Sequence, residues 1–411
     1  MTLDPAFRTA LDAELPALIE LYEHFHRHPE LSMQEHRTAE TIEERLRGYG
    51  LEPFRCGGTG VVAVIENGDG PVVAFRADTD GLPIEEQTGL PYSSEATGTL
   101  PDGTSTPVMH GCGHDTHITS ALGAAKLLTE HRDRWNGTAI MIFQPGEETS
   151  AGAAAMLDDG FWDRVPRPEA IYGQHVWPGV AGTVNITPGT AMAMADSLEV
   201  IVHGQQAHGS QPENSIDPIV LGAYMITRLQ TVVSREISGR DTAVLTIGVF
   251  QGGLKENIIP ASARFTINIR TYDEAVREKV LAAVDRIIRA EAQASGAPDP
   301  EIRPMYDFPQ VVNDADLTES LIGALGDELG ADAVNVTLPV TGSEDFGRFG
   351  DAIGVPYVFW FFGGYSQAKV DDPESVLSNH SPFFGPDEVG TTLGTGVRAA
   401  LTALLGHLGA R

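Results

Sequence analysis

Between Val108 and His117 the chain reads VMHGCGHDTH, which sets Cys112 among His110, His114, His117 and Asp115. A thiol in such company can be a small core hydrophobe, a nucleophile or a metal ligand. The neighbours weigh against plain core, because burying that many polar groups without partners costs several kcal/mol. Gly111 and Gly113 flank the cysteine and let the backbone turn sharply, so that Cys112 and His114 can aim at one point. The signatures of known cysteine nucleophiles, such as Gln-Ala-Cys or Cys-Gly-Ser-Cys, are absent. A ligand reading requires further donors elsewhere.

Candidates stand where strands run into loops. FQPGEETSAGA carries the adjacent pair Glu147 and Glu148, FRADTDGLP carries Asp78 and Asp80, YGQHVWPG carries His175 and SNHSPFF carries His380. Successive side chains on extended backbone point in opposite directions. One carboxylate of the Glu147–Glu148 pair can therefore bind a metal while the other faces substrate as a general base. Taken alone, each of these residues also fits a solvated loop charge or a structural histidine. Together, at the ends of consecutive strands, they fit the rule that open α/β sheets collect ligands at the carboxyl ends of their strands.

The elements that must hold these residues follow from periodicity. Amphipathic helices are expected at Ala6–Phe25 and Glu35–Tyr49, and strands at Gly60–Glu66 and Pro71–Arg76. A helix from His117, the strand TAIMIF, a short helix closed by Gly160 and the strand AIYGQHV continue the alternation, which argues for an α/β sheet flanked by helices. From Asp196 the pattern changes to strand, helix (Ile216–Val233), two strands and the helix Glu274–Ala294, a compact α+β unit ending at the turn-rich SGAPDP. The expected organisation is a catalytic domain over 1–192 that resumes over 300–411, with an insertion over 193–299 able to close over a cleft.

Composition excludes several classes of function. The chain has 411 residues, 27 basic against 57 acidic, for a formal net charge of −30. Such an excess repels nucleic acid and anionic membrane surfaces. No apolar run approaches the roughly 20 residues that span a bilayer. The acidic, amphipathic start is unlike a secretory signal, so a cytoplasmic protein is expected. Two cysteines, Cys56 and Cys112, exclude a disulfide framework. The segment GTGVRA (Gly394–Ala399) fits a dinucleotide fingerprint in letters, but it lies within a helical pattern and follows no strand.

In order along the chain, HRHPELSMQE, RADTDGLPI, MHGCGHD, FQPGEET, GQHVWPG, NIIPASA, TGSEDF and NHSPFF resemble the aminoacylase, carboxypeptidase and hippurate hydrolase family of dinuclear metallopeptidases. The match is to the amidohydrolase branch that includes the plant auxin-conjugate hydrolases. The resemblance implies that Cys112, His114, Glu148, His175 and His380 bind two divalent metal ions, zinc or manganese first, cobalt or nickel as alternatives. It implies Glu147 as the catalytic base and Asp80 as the acidic residue that orients a ligand. It makes the inserted unit a lid and dimerisation domain, in which His208 reaches the neighbouring subunit's site of a homodimer while Asn257 and Arg270 contact the substrate carboxylate. Arg suits that last role through its bidentate fork. The lid segment departs from many relatives at Glu213, where they carry histidine, and Glu344 and Asp345 of TGSEDF receive no role. The reaction expected is hydrolysis of an N-acyl amino acid or related amide to a carboxylic acid and a free amino acid. The alternatives are a dipeptidase or aminopeptidase, a thiol-nucleophile amidase and a metal-binding dimer without turnover.

Overall fold

The computed structural model describes residues 2–410. The chain divides into two compact units, the first comprising Met1–Ala191, Val311–Pro339 and Glu344–Arg411, and the second Met192–Gln310 with Val340–Ser343.

The first unit is built on a mixed sheet with a parallel centre. Its order is Phe54–Cys56, Gly60–Asn67, Trp135–Gln144, Val72–Asp78, Ala170–Val180, Tyr357–Tyr365, Val184–Ile186, Val334–Val336. The four strands from Trp135–Gln144 to Tyr357–Tyr365 run parallel to one another, whereas Gly60–Asn67 and Val184–Ile186 join them antiparallel. Buried on both faces, the central strands are nearly continuous apolar runs, of which YVFWFFGGY is the extreme case. The helices Pro5–Arg27, His114–Glu130 and Val389–His407 pack together and cover the sheet. Pro5–Arg27 begins where Asp4 accepts the Ala6 N–H and buries Phe7, Leu11, Leu18, Tyr22 and Phe25 at helical spacing. Among the described residues, no helix is long and apolar enough to cross a membrane.

His26, also buried on that first helix, sits 2.6 Å from Asp115 Oδ2 and 3.1 Å from Glu86 Oε1. Burial alone would lower its imidazole, but the two carboxylates outweigh it and raise it to about 9. The resulting charged triad ties the first helix to the residue next to His114.

The second unit is a four-stranded antiparallel sheet, ordered Ala243–Gly252, Ser262–Thr271, Met194–His203, Glu301–Phe308, with the helices Pro218–Thr231 and Glu274–Ala294 packed against it. It continues past Asp299, where the sequence suggested an end, because Glu301–Phe308 pairs with Met194–His203. This strand lies at the sheet edge, is mostly exposed and contains Pro304, so it lacks the alternation that marks a half-buried strand.

Candidate metal centre

The helix expected from His117 begins three residues earlier, at His114. Gly113 precedes it with φ 84°, and a Cβ there would fall 2.3 Å from Val176 Cγ1, so only glycine lets the Cys112–His114 turn lie against the sheet. Across from it, the strand Trp135–Gln144 runs into Pro145, Gly146 and a 3-10 turn, Glu147–Thr149. His175 comes from the strand Ala170–Val180, and His380, with φ 70°, from a loop whose backbone N–H bonds Gly111 O at 2.8 Å.

These segments bring the donors of the first unit together. Cys112, Glu148 and His380 present ligand atoms within 4.8 Å of one another, as do His114, Glu147 and Glu148. His380 Nε2 is 3.2 Å from Glu148 Oε1, Cys112 Sγ is 3.3 Å from His175 Nε2, and His114 Nε2 is 3.9 Å from Glu148 Oε1. The His175 Nδ1–H donates to Val176 O at 2.6 Å, and His114 Nδ1 faces Asp80 Oδ1 at 3.2 Å. The bond to Val176 fixes the His175 tautomer, and with Asp80 beside its Nδ1 the His114 ring likewise turns Nε2 inward, the usual arrangement of a ligating histidine. His114 Nε2 is buried without a hydrogen-bond partner, and Glu148 Oε1 meets only the His380 ring. A buried ring nitrogen left bare beside a carboxylate, a thiol and two further imidazoles is what a divalent cation would satisfy.

The electrostatics agree. Burial would lower the His114 imidazole, yet Asp78, Asp80 and Glu148 raise it to about 10, a sign that this point attracts positive charge. Burial, then Glu148 and Glu147, push the Cys112 thiol well up, so a nearby cation is needed to make it a thiolate. Burial holds His175 neutral. Glu147 is lifted well above the ordinary carboxylate range by burial and then by Glu344, Glu148 and Asp345.

Behind the donors lies a network that the sequence left unassigned. Arg76 is fully buried in the strand Val72–Asp78 and donates to Gln144 Oε1 at 2.8 Å, Asp78 Oδ2 at 2.6 Å, Glu344 Oε1 at 2.7 Å and Asp345 Oδ1 at 3.3 Å. Glu344 and Asp345 in turn approach Glu147. His117, although grouped with Asp78, His114 and His175, has both nitrogens engaged: Nδ1 with Asp78, and Nε2 accepting the Val176 N–H at 2.7 Å. It holds the helix to the strand and has no lone pair left for a metal. The signal that could have revealed this network is a charged Arg76 within the apolar run VVAFRAD.

His208, Asn257 and Arg270 belong to the second unit. His208 is exposed and its Nδ1 accepts the Ser210 N–H at 3.1 Å, while Gly209 N–H bonds Asn257 O at 2.8 Å, which makes His208 and Asn257 neighbours. Arg270 stands on the strand Ser262–Thr271, with Nε donating to Asn268 Oδ1 at 3.0 Å and Nη1 to Ser343. Burial lowers its guanidinium from the ordinary value, and no carboxylate pairs with it among the described residues.

Known proteins resemble this chain over most of its length. The N-acetyl-L-cysteine deacetylase of Bacillus subtilis is 37% identical, over 84% of this chain and 80% of its own. The IAA-amino acid hydrolase ILR1-like 2 of Arabidopsis thaliana is 32% identical over 93% of this chain and 84% of its own. The crystal structure of the Bacillus subtilis YXEP protein, described as a dinuclear metal binding peptidase from the M20 family, superposes with a TM-score of 0.74 at 31% identity, covering 96% of this chain and 99% of that one. The profile of peptidase family M20/M25/M40 matches residues 74–394, from the Arg76 strand to the C-terminal helix, and the chain belongs to that family.

Proposed function

We propose that the protein is a metal-dependent amidohydrolase that cleaves N-acyl amino acids or related amide conjugates to a carboxylic acid and a free amino acid. The observation that carries this reading is the buried carboxyl of Glu147 set beside Glu148, His114, Cys112 and His380. Cys112, His114, Glu148, His175 and His380 would hold two divalent ions, zinc or manganese before cobalt or nickel, since thiolate, imidazole and carboxylate donors suit all four. Bound there, the ions would supply Lewis acidity, lowering the pKa of water and polarising the amide carbonyl.

The chain's own residues manage the proton. Glu147, with its proton affinity raised by burial and by neighbouring carboxylates, accepts a proton from the attacking water and returns it to the amine as the C–N bond breaks. An amine leaves poorly unless protonated, so one group that takes and then gives the same proton meets the requirement. Asp80 orients His114 and receives the Glu147 and Glu148 amides, fixing both side chains at their roots. In the second unit, Arg270 and Asn257 bind the carboxylate of the amino-acid half, and His208 serves the site of a second subunit in a homodimer. Similarity to the N-acetyl-L-cysteine deacetylase and the IAA-amino acid hydrolase favours blocked substrates over free peptides.

The test is release of free amino acid from N-acetyl, N-benzoyl and long-chain N-acyl amino acids, run beside unblocked dipeptides. Hydrolysis of the blocked compounds is expected. Cleavage of dipeptides alone would replace this reading with a dipeptidase or aminopeptidase. No cleavage by metal-loaded protein would leave a non-catalytic metal-binding dimer.

A further inference from the structure

The turn that carries Glu147 is held by two carboxylates, Asp80 and Glu35. Asp80 accepts the N–H groups of Glu147 and Glu148, each at 3.1 Å. Glu35, fully buried, accepts the N–H of Gly146 at 2.8 Å. Three consecutive amides therefore end on side chains from distant parts of the chain. Glu35 is itself fixed, because Oε1 also accepts the Met33 N–H at 2.8 Å and Oε2 accepts the Thr59 hydroxyl at 2.5 Å. Its segment reaches the other carboxylate too, where Ser32 Oγ donates to Asp80 Oδ2 at 2.6 Å.

The backbone of this segment is bent to fit. Met33 has φ 62°, a left-handed conformation that strains a non-glycine residue and persists only where the surroundings impose it. Its thioether lies against Gly146, where a Cβ would come within 2.5 Å of Met33 Sδ. Gly146 follows Pro145 and has φ 55°, so it is a permissive hinge immediately before Glu147. Without an acceptor for its N–H, rotation at this hinge would swing the Glu147 carboxylate away from the position its chemistry needs.

We propose that Glu35, with Ser32 and Met33, is a positioning residue: a brace that fixes the backbone at Gly146 and thereby the direction of Glu147. This rests on the reading of Glu147 as the base. The Glu35 carboxylate bonds Met33, Thr59 and Gly146 and none of the candidate metal donors, so it acts on kcat through Glu147.

Three variants of the metal-loaded full chain test it. Glu35→Gln keeps an acceptor for Gly146 and Met33 and turns its amide toward the Thr59 hydroxyl, which can accept. Glu35→Asp keeps the charge but withdraws the acceptor by one methylene. Glu35→Leu keeps the bulk and removes the acceptor. With N-acetyl amino acids as substrate, kcat should fall in the order Gln, Asp, Leu, with Gln near wild type. The Leu variant should lose on the order of 100-fold, the cost of a misplacement near 1 Å. KM and bound metal should stay at wild-type values, a split and a rescue that mere destabilisation would not produce. A folded Glu35→Leu protein with wild-type kcat overturns the brace, as does a loss of kcat matched by an equal loss of metal. Should the Leu variant not fold, Asp and Gln decide: lower kcat in Asp supports the brace, and equal kcat overturns it. Glu147→Gln is run alongside. A rate that Glu147→Gln leaves intact overturns both readings, whereas a Glu147-dependent rate indifferent to Glu35 overturns the brace alone.

Discussion

Replacing Glu147 with glutamine is expected to lower kcat for N-acyl amino acid hydrolysis by about 10²–10⁴-fold, the range for loss of a general acid–base. Glutamine has the same shape and can still accept a hydrogen bond, but it cannot take a proton from water or hand one to the leaving amine. Glu147 shares its surroundings with four carboxylates, Asp78, Glu148, Glu344 and Asp345, and burial adds to their repulsion to raise its proton affinity. A raised proton affinity suits a group that must take a proton and later return it. Metal content and KM should change little, because the backbone bonds of residues 147 and 148 to Asp80 do not involve the substituted group. Steady-state kinetics with a metal assay on the same preparation checks this. Activity within a few-fold of wild type would remove Glu147 as the base.

The second large effect is on stability. Arg76→Met should destabilise the first unit by about 3–5 kcal/mol, the cost of leaving buried charges without their partner. Arg76 is the cation to which Asp78, Glu344 and Asp345 are all bonded, and all four side chains are essentially inaccessible to solvent. Methionine fills much of the volume but leaves three carboxyl groups to be protonated or to move apart. Arg37→Met is the control, since Arg37 is largely exposed and its contact with Glu30 is a surface ion pair worth roughly 0–1 kcal/mol. Denaturant unfolding of the two variants should separate them clearly. A cost at Arg76 no larger than at Arg37 would show that the network is not held together by its guanidinium.

Much of this centre was legible in the sequence because the residues that carry it lie in short, unusual runs. Cys112 and His114 flank a glycine where a turn enters a helix, and Glu147 and Glu148 follow Pro-Gly where a strand meets a loop. The order of those runs supplied the family and, through it, the fold. What was not legible depends on pairings far apart in the chain. Arg76 and Glu344 are 268 positions apart, and Glu35 and Gly146 are 111 apart, so neither partner signals the other. The helix start at His114 was missed because its first turn is polar, being used for donors and for the Asp78–His117 bond rather than for core. The strand Glu301–Phe308 was missed because an exposed edge strand with a proline lacks the pattern that marks a buried one.

Hydrolysis is expected to depend on cations held by Cys112, His114, Glu148, His175 and His380. The most direct test is to strip the protein of metal with a chelator, titrate zinc or manganese back, and follow amino-acid release from an N-acetyl amino acid against bound metal, with Cys112→Ser in parallel. Stripped protein should be inactive, and activity should return as two ions per chain are taken up. Cys112→Ser should need more metal, because a hydroxyl is a far weaker ligand than a thiolate. Full activity in the stripped protein, lost on alkylation of Cys112 and unaffected by added metal, would contradict this dependence and make the thiol a nucleophile.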